Sequence, residues 1–441
     1  MRDPLVLVPQ YFGSLVFDRR TSRYAPFDHE TTALLRRVAE IGWFGTIAEE
    51  RDEERQRLLA DFFDHFDREG FFRPDGRFDG VILDVEPPPD HLVGPLAVHL
   101  EVIAACNLRC THCFAGELPR KADLTLEEMD ALFADLARMG SFRLGLTGGE
   151  PLLRKDLVSI VDRASEHGLH PCLTTNGLLL DERIARELGE RELVWINVSL
   201  DGASAATNDP IRGAGTFDEV TRRLRTFGRH LRFTMAFTIT SRSAGEVLPC
   251  AELARELGAH TAVFRPLYPV GVARSHPELM PTFEQYSRAL DQLVAFGHDV
   301  SAIDTFAPNA REATQAKTFS PPGCGAANLV ASISATGDVN PCSFLGPAFE
   351  TGNIRERSFP EIWREGHAFR RLRAKREADG SPGFVSGCRA RSLAAHGDVD
   401  APDPWFTEWR DGAGISMDRP PLATVHLTPA KSPRRLPLVT S

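Results

Sequence analysis

Between residues 97 and 266 the sequence alternates through six short β-prone runs separated by stretches of helical period, an order that few folds accommodate. Strand patterns fall at 97–103, 142–147, 170–174, 194–200, 231–238 and 262–266, and helical patterns near 126–139, 156–167, 181–189, 217–228 and 245–257. Strands joined through helix-length crossovers run parallel, and the helices then cover the sheet from outside. Two helices open with capping boxes, Thr125 with Glu128 and Thr216 with Glu219, and Gly140, Gly168 and Gly258 stand where C-caps belong. A closed eight-stranded barrel would need two more units. The expected fold is therefore α/β, a partial (β/α)6 barrel over 96–300 that ends in a helix near 282–297.

The flanks differ in character. Residues 1–83 read as a winged-helix-like α+β unit: a hairpin over 15–24, a helix over 31–41 capped by Asp28, a second over 51–69 ended by Gly70, and a turn at Pro74-Asp75-Gly76. Pro87, Pro88 and Pro89 stiffen a linker over 84–95. Residues 301–410 carry a hairpin pattern and a helix near 359–376; 411–441, without apolar period, is expected to be a flexible tail. Three such units suit 441 residues. No apolar run approaches the ~18 residues needed to cross a bilayer, and the start lacks a secretory core, so no membrane partner is expected. A net charge of −10 argues against a general nucleic-acid binder.

Eight cysteines in a chain without a secretory signal point to metal or redox chemistry in a reducing, cytoplasmic compartment. Cys106-Asn-Leu-Arg-Cys110-Thr-His-Cys113 follows the first barrel strand. Three thiolates this close can ligate three irons of a [4Fe–4S] cube, leaving the fourth iron open to a chelator. S-adenosylmethionine, bound there through its amino and carboxylate groups, could take an electron into its sulfonium and release a 5′-deoxyadenosyl radical. The alternative is a structural zinc, which needs four ligands; His112 as the fourth would crowd a tetrahedron. One βα unit later comes Thr147-Gly148-Gly149-Glu150-Pro151. There the glycines allow close approach of the backbone to a ligand, Glu150 can accept from an ammonium, and Pro151 fixes the exit. Cys172 and Cys250 fit as small core hydrophobes.

With its C-x3-C-x2-C and G-G-E motifs, the chain resembles the radical S-adenosylmethionine (radical SAM) superfamily over about 97–266, which implies a partial barrel of TIM type. By that resemblance Cys106, Cys110 and Cys113 hold the cluster, His112 lies near the adenine, and Gly148, Gly149 and Glu150 bind the methionyl amino group. Thr175-Asn176-Gly177, Ser199-Leu-Asp201 and Pro210-Ile-Arg212-Gly213 match further family patterns. Ser199 and Asp201 are placed to reach the ribose or other polar groups, and Arg212 to pair with the methionyl carboxylate. The resemblance also implies an external electron donor such as flavodoxin or ferredoxin.

The third region, with Cys324, Cys342, Cys388 and the segment 351–363, resembles the SPASM/twitch extension that binds auxiliary iron–sulfur clusters. It departs from that pattern at Val385, where the usual C-x2-C pair begins, and near Trp405 and Phe406, where a last cysteine is expected. Three cysteines could hold one auxiliary cluster with an open iron or a non-cysteine ligand (Asp338, His396 or Asp398), or be the remains of an empty site. The N-terminal unit resembles the PqqD-like peptide-recognition element, which captures a leader peptide as an added strand. Together these imply a maturase of a ribosomally made precursor peptide, oxidative crosslinking being one outcome. The alternatives are a radical SAM enzyme acting on a small molecule in cofactor or antibiotic biosynthesis, and a non-catalytic metal-binding regulatory protein.

Overall fold

A computed structural model describes residues 2–115, 122–297, 299–304, 306, 324–374 and 387–412. Val385 and nearly all of the expected tail lie outside the described residues.

The N-terminal unit is built on a four-stranded sheet. It contains β1 (Leu5–Gln10), β2 (Gly13–Asp18), β3 (Arg23–Asp28), α1 (His29–Glu49), α2 (Glu53–Arg68) and β4 (Gly80–Ile82), with sheet order β3-β2-β1-β4. The hairpin expected over 15–24 is β2–β3. The winged-helix expectation omitted β1, whose Leu-Val-Leu-Val run lacks alternation because both its faces are buried. Leu5, Leu7 and Val16 pack on Leu35, Val38 and Phe63 of α1 and α2, while Val6, Val8, Leu15 and Phe17 join the core of the barrel. Asp28 caps α1 as expected, accepting from Thr31 N. The helix runs past residue 41 but breaks at Gly42 (φ 77°), beyond which Trp43 N donates to Gly76 O. Pro87 to Pro89 do not lead into a free spacer. Leu92 is buried, its carbonyl accepts from the Trp363 indole (2.8 Å), and Val93 N donates to Gln10 Oε1.

The barrel comprises β5 (Ala97–Ile103), α3 (Leu126–Arg138), β6 (Arg143–Gly148), α4 (Leu157–Glu166), β7 (His170–Thr175), α5 (Glu182–Gly189), β8 (Ile196–Leu200), α6 (Ala205–Arg212), α7 (Thr216–Phe227), β9 (Phe233–Ile239), α8 (Val247–Glu256), β10 (Thr261–Pro266), α9 (Phe283–Phe296) and β11 (Val300–Ala302). It has seven parallel strands rather than six; β11, three residues long, is too short to show a period. A hairpin of β12 (Val330–Ile333) and β13 (Val339–Asn340) extends the sheet beyond β5, with β12 parallel to it. Among the described residues the nine-stranded sheet stays open, β11 at one edge and β13 at the other.

Local signals explain most of this. The Thr125 box forms in full, and Gly140, Gly168 and Gly258 take φ between 73° and 81°. The Thr216 box does not form: Gly215 is the N-cap, and the Thr216 hydroxyl donates to Gly213 O (2.8 Å) while accepting from Asn208 Nδ2 (2.9 Å). α6 was not expected from the sequence, and it holds Pro210 inside it. The helix expected over 359–376 is two, α10 (Phe359–Glu365) and α11 (His367–Arg373), parted at Gly366. α12 (Arg389–His396) and α13 (Pro404–Arg410) follow. One core runs from the N-terminal sheet through the barrel to Trp363, Phe369 and Trp405. Among the described residues no helix is long and apolar enough to cross a membrane.

Candidate functional site

The cysteine loop leaves the carboxyl end of β5, the end where parallel α/β sheets collect ligands. Two bonds pin its backbone, Thr111 N to Ile211 O (3.0 Å) and Val272 N to Cys113 O (2.8 Å). At Gly271 (φ 57°) a Cβ would lie 2.3 Å from Phe114 O and 2.5 Å from Cys113 O, so only glycine fits beneath the loop. Cys106, Cys110 and Cys113 line a cavity of about 130 Å³ together with His112, Glu150, Asn176 and Arg212. Gly148, Gly149 and Ser199 line it too. Pro151, which opens a short turn after β6, and Asp201 do not.

The glycine pair is needed for a reason beyond ligand approach. Gly149 N donates to Ile103 O (2.7 Å) and Glu150 N to Ala105 O (2.9 Å), so the chain after β6 zips against the segment that leads into Cys106. A Cβ on Gly148 would meet Ile103 O at 2.3 Å, and one on Gly149 would meet Ala105 O at 2.1 Å.

Glu150 is fully buried, and its carboxylate accepts from Leu152 N (2.9 Å), Thr175 Oγ1 (2.6 Å) and Asn176 N (2.8 Å). Burial raises its pKa despite these donors. A carboxylate offers about four lone-pair sites, so one remains for a ligand ammonium. Asn176 Nδ2 in turn donates to Asn107 Oδ1 (2.7 Å), which ties the β7 turn to the cysteine loop. Asn107 went unread because it occupies a spacer position of the motif.

Asp201 acts from behind the cavity wall. Its Oδ2 lies 2.8 Å from His112 Nε2 and 2.5 Å from Arg212 Nε, and Oδ1 accepts from Thr238 N (2.9 Å). Burial alone would raise its carboxyl pKa; Arg212 and His112 outweigh that and hold it well below the usual range. Asp201 therefore orients two cavity residues rather than reaching the ribose itself. His112 is turned to this carboxylate through Nε2.

In the C-terminal region, Cys324 lies close enough to Cys342 and Cys388 to raise both thiol pKa values. Burial is the larger cause, pushing Cys342 up to about 12. Of the conceivable fourth ligands, Asp338 accepts from Asn353 Nδ2 and Thr336 Oγ1 in its turn, and His396 and Asp398 are exposed. Two residues beyond Cys342, Phe344 stacks on Tyr268 (4.6 Å, 25°), and both line the cavity. The Tyr268 hydroxyl donates to Asp304 (2.6 Å), and Arg391 bridges Asp304 to Asp403, which accepts from Cys388 N. One cavity wall is thus bonded to the segments carrying Cys342 and Cys388.

The residues present fit a three-thiolate iron–sulfur cluster with S-adenosylmethionine. Three cysteines of one loop share a cavity with a buried carboxylate for an ammonium and a buried arginine for a carboxylate. His112 Nδ1 is buried there without a hydrogen-bond partner among the described residues. The fold and this cavity define a radical SAM enzyme, and the chain belongs to the Radical SAM superfamily, whose signature spans residues 100–269, and carries the SPASM iron–sulfur cluster-binding domain over 324–389. Mycofactocin maturase MftC of Mycobacterium ulcerans is 31% identical over 340 residues, 74% of this chain and 92% of its own length. AdoMet-dependent heme synthase of Methanosarcina barkeri is 31% identical over 338 residues, 70% of this chain and 96% of its own. Streptococcus suis SuiB shares the fold at 12% identity when bound to its precursor peptide SuiA, with a TM-score of 0.66 over 91% of this chain and 98% of its own.

Changing Cys324, Cys342 and Cys388 together to serine should remove iron and sulfide equivalent to one cluster while leaving that held by Cys106, Cys110 and Cys113. Metal analysis with EPR of the reduced protein reads this; unchanged iron would show that the SPASM cysteines hold none.

Proposed function

We propose that the protein modifies a ribosomally made precursor peptide, by an oxidative crosslink or a related C–H activation. Bound to the Cys106, Cys110 and Cys113 thiolates with S-adenosylmethionine, the cluster supplies a 5′-deoxyadenosyl radical able to take hydrogen from an unactivated carbon. On this reading Glu150 receives the methionyl ammonium and Arg212 the carboxylate, Asp201 holding Arg212 and His112 in place. Residues 1–83 hold the leader, 96–300 initiate the chemistry and 301–410 hold an auxiliary cluster. An external donor such as flavodoxin or ferredoxin reduces the enzyme in the cytoplasm, where thiols stay free.

The observation that carries the peptide reading is the free edge of β3. Among the described residues it pairs with β2 on one side only and ends its sheet, the arrangement that accepts an extended peptide as an added strand. The sheet is locked to the barrel: Phe17 stacks on Phe142 (4.8 Å), and the Tyr24 hydroxyl donates to Gly140 O while accepting from Phe142 N. A captured leader would therefore be held at a set distance from the cavity. Support also comes from SuiB, whose fold spans both units and whose structure holds a precursor peptide.

A small-molecule substrate is the second reading, favoured by the likeness to AdoMet-dependent heme synthase. Deleting the N-terminal unit would not separate the two, since it would strip Val6, Val8 and Phe17 from the shared core. A photo-crosslinking residue at exposed Arg23 or Pro26 of β3 does separate them. It should capture the leader of a candidate precursor, and the reconstituted enzyme with reductant should change that peptide's mass. An unchanged mass despite 5′-deoxyadenosine formation would sink the peptide assignment.

A further inference from the structure

Arg265 on β10 lines the reaction cavity, and among the described residues no hydrogen bond or ion pair engages its guanidinium. The other charges of the cavity are matched. Arg212 and His112 share Asp201, and Glu150 has three donors and is reserved for an ammonium. Burial lowers the pKa of Arg265; Asp201 and Tyr268 act against that, and Arg212 adds to it. A guanidinium stays charged in a protein, so an unmatched one in a partly desolvated cavity is unfavourable until an anion arrives. S-adenosylmethionine brings one carboxylate, and Arg212 is placed for it. Arg265 is left over.

Its neighbours indicate what it faces. Thr238, Pro266, Leu267 and Tyr268 form the wall around it, and that wall is bonded to the C-terminal region through Tyr268 and Phe344. This wall is the part of the lining formed by neither the cysteine loop nor the Glu150 turn.

We propose that Arg265 is a specificity-determining residue that binds a carboxylate of the substrate, positioning the reacting residue beside the cysteine loop. The inference rests on the peptide reading for the identity of that substrate: the carboxylate is the peptide's C-terminus or an acidic side chain of its core. A planar two-pronged cation suits such a group, where a lysine would give a point charge and less orientation.

The test uses reconstituted full-length wild type, Arg265→Lys and Arg265→Gln with the candidate precursor in three forms: unaltered, C-terminally amidated, and with core Asp and Glu changed to Asn and Gln. Wild type should disfavour one carboxylate-free form by roughly 30-fold or more in kcat/KM, the scale of a severed charge pair. Arg265→Gln should lose that discrimination, with Arg265→Lys between the two. Peptide consumption in Arg265→Gln should fall far more than 5′-deoxyadenosine formation without peptide. Equal falls would assign Arg265 to the cofactor and overturn the proposal, as would wild-type indifference to all three forms. If wild type consumes no peptide at all, the peptide reading fails separately. Crystals of the S-adenosylmethionine complex grown with propionate or propionamide then decide the arginine. Propionate on Arg265 in wild type, absent from Arg265→Gln, retains the carboxylate site; no propionate in wild type overturns it.

Discussion

Gly149→Ala should lower 5′-deoxyadenosine formation by about 100-fold or more, because one methyl group displaces both halves of the initiation site. Its Cβ would stand 2.1 Å from Ala105 O and 2.5 Å from Ala104 O, backbone atoms that cannot rotate away. The segments must part, and the bonds from Gly149 N to Ile103 O and from Glu150 N to Ala105 O go with them. On one side the displacement reaches Cys106, the next residue. On the other it moves Glu150, whose carboxylate organises Leu152, Thr175 and Asn176, and Asn176 holds Asn107 back in the cysteine loop. Gly215→Ala is the comparison: it has φ 78° but nothing within 4 Å of its Cβ, so only backbone strain of about 1–2 kcal/mol is expected. Thermal unfolding and 5′-deoxyadenosine yield should be measured on both. If the two variants lose activity alike, the steric account of Gly149 fails.

The contrast between these glycines shows where the sequence was legible. Thr125, Glu128, Gly140 and Gly168 announced helix ends because capping is settled within a few residues. Thr216 carried the same signature and misled, since Asn208 and Gly213, brought close by α6, compete for its hydroxyl. β1 was missed for a related reason: its second face is buried against the barrel, and no local period records that. The motif cysteines and the G-G-E turn were readable as chemistry, but not the reason for the glycines, which is contact with a strand some 45 residues earlier in the chain. Asp201 at the end of a strand looked like a ligand contact, and only the assembled barrel shows it serving His112 and Arg212 instead. Arg265 did leave a trace, as a charge within an otherwise apolar strand, although nothing in the sequence shows that its neighbours leave it unmatched.

Asp201→Asn should be the most damaging single change behind the cavity wall, since it keeps the shape of the side chain and removes only the charge. Asp201 has no exposed surface, so Arg212 would be left buried without its counter-ion, and breaking such a pair costs about 3–5 kcal/mol. The folded-state pKa of this carboxyl is depressed, so its stabilising contribution is fully present at neutral pH. That contribution begins to fade below the ordinary carboxylate pKa and is gone once the pH has fallen through the folded-state value. Thermal unfolding near pH 7 should therefore show the whole loss. Arg212→Gln should destabilise in the same way by leaving the carboxylate without its arginine, with only His112 and Thr238 N still on it, whereas the double variant removes both charges and should unfold at a higher temperature than either single one. Activity should follow a different order. The double variant still lacks the cation placed for the methionyl carboxylate and the anchor of His112, so its KM for S-adenosylmethionine should stay raised and its 5′-deoxyadenosine yield low even where stability returns. Additive losses of stability across the cycle would show that Asp201 and Arg212 do not act as a pair. Recovery of the KM together with stability would show that they matter to the fold alone.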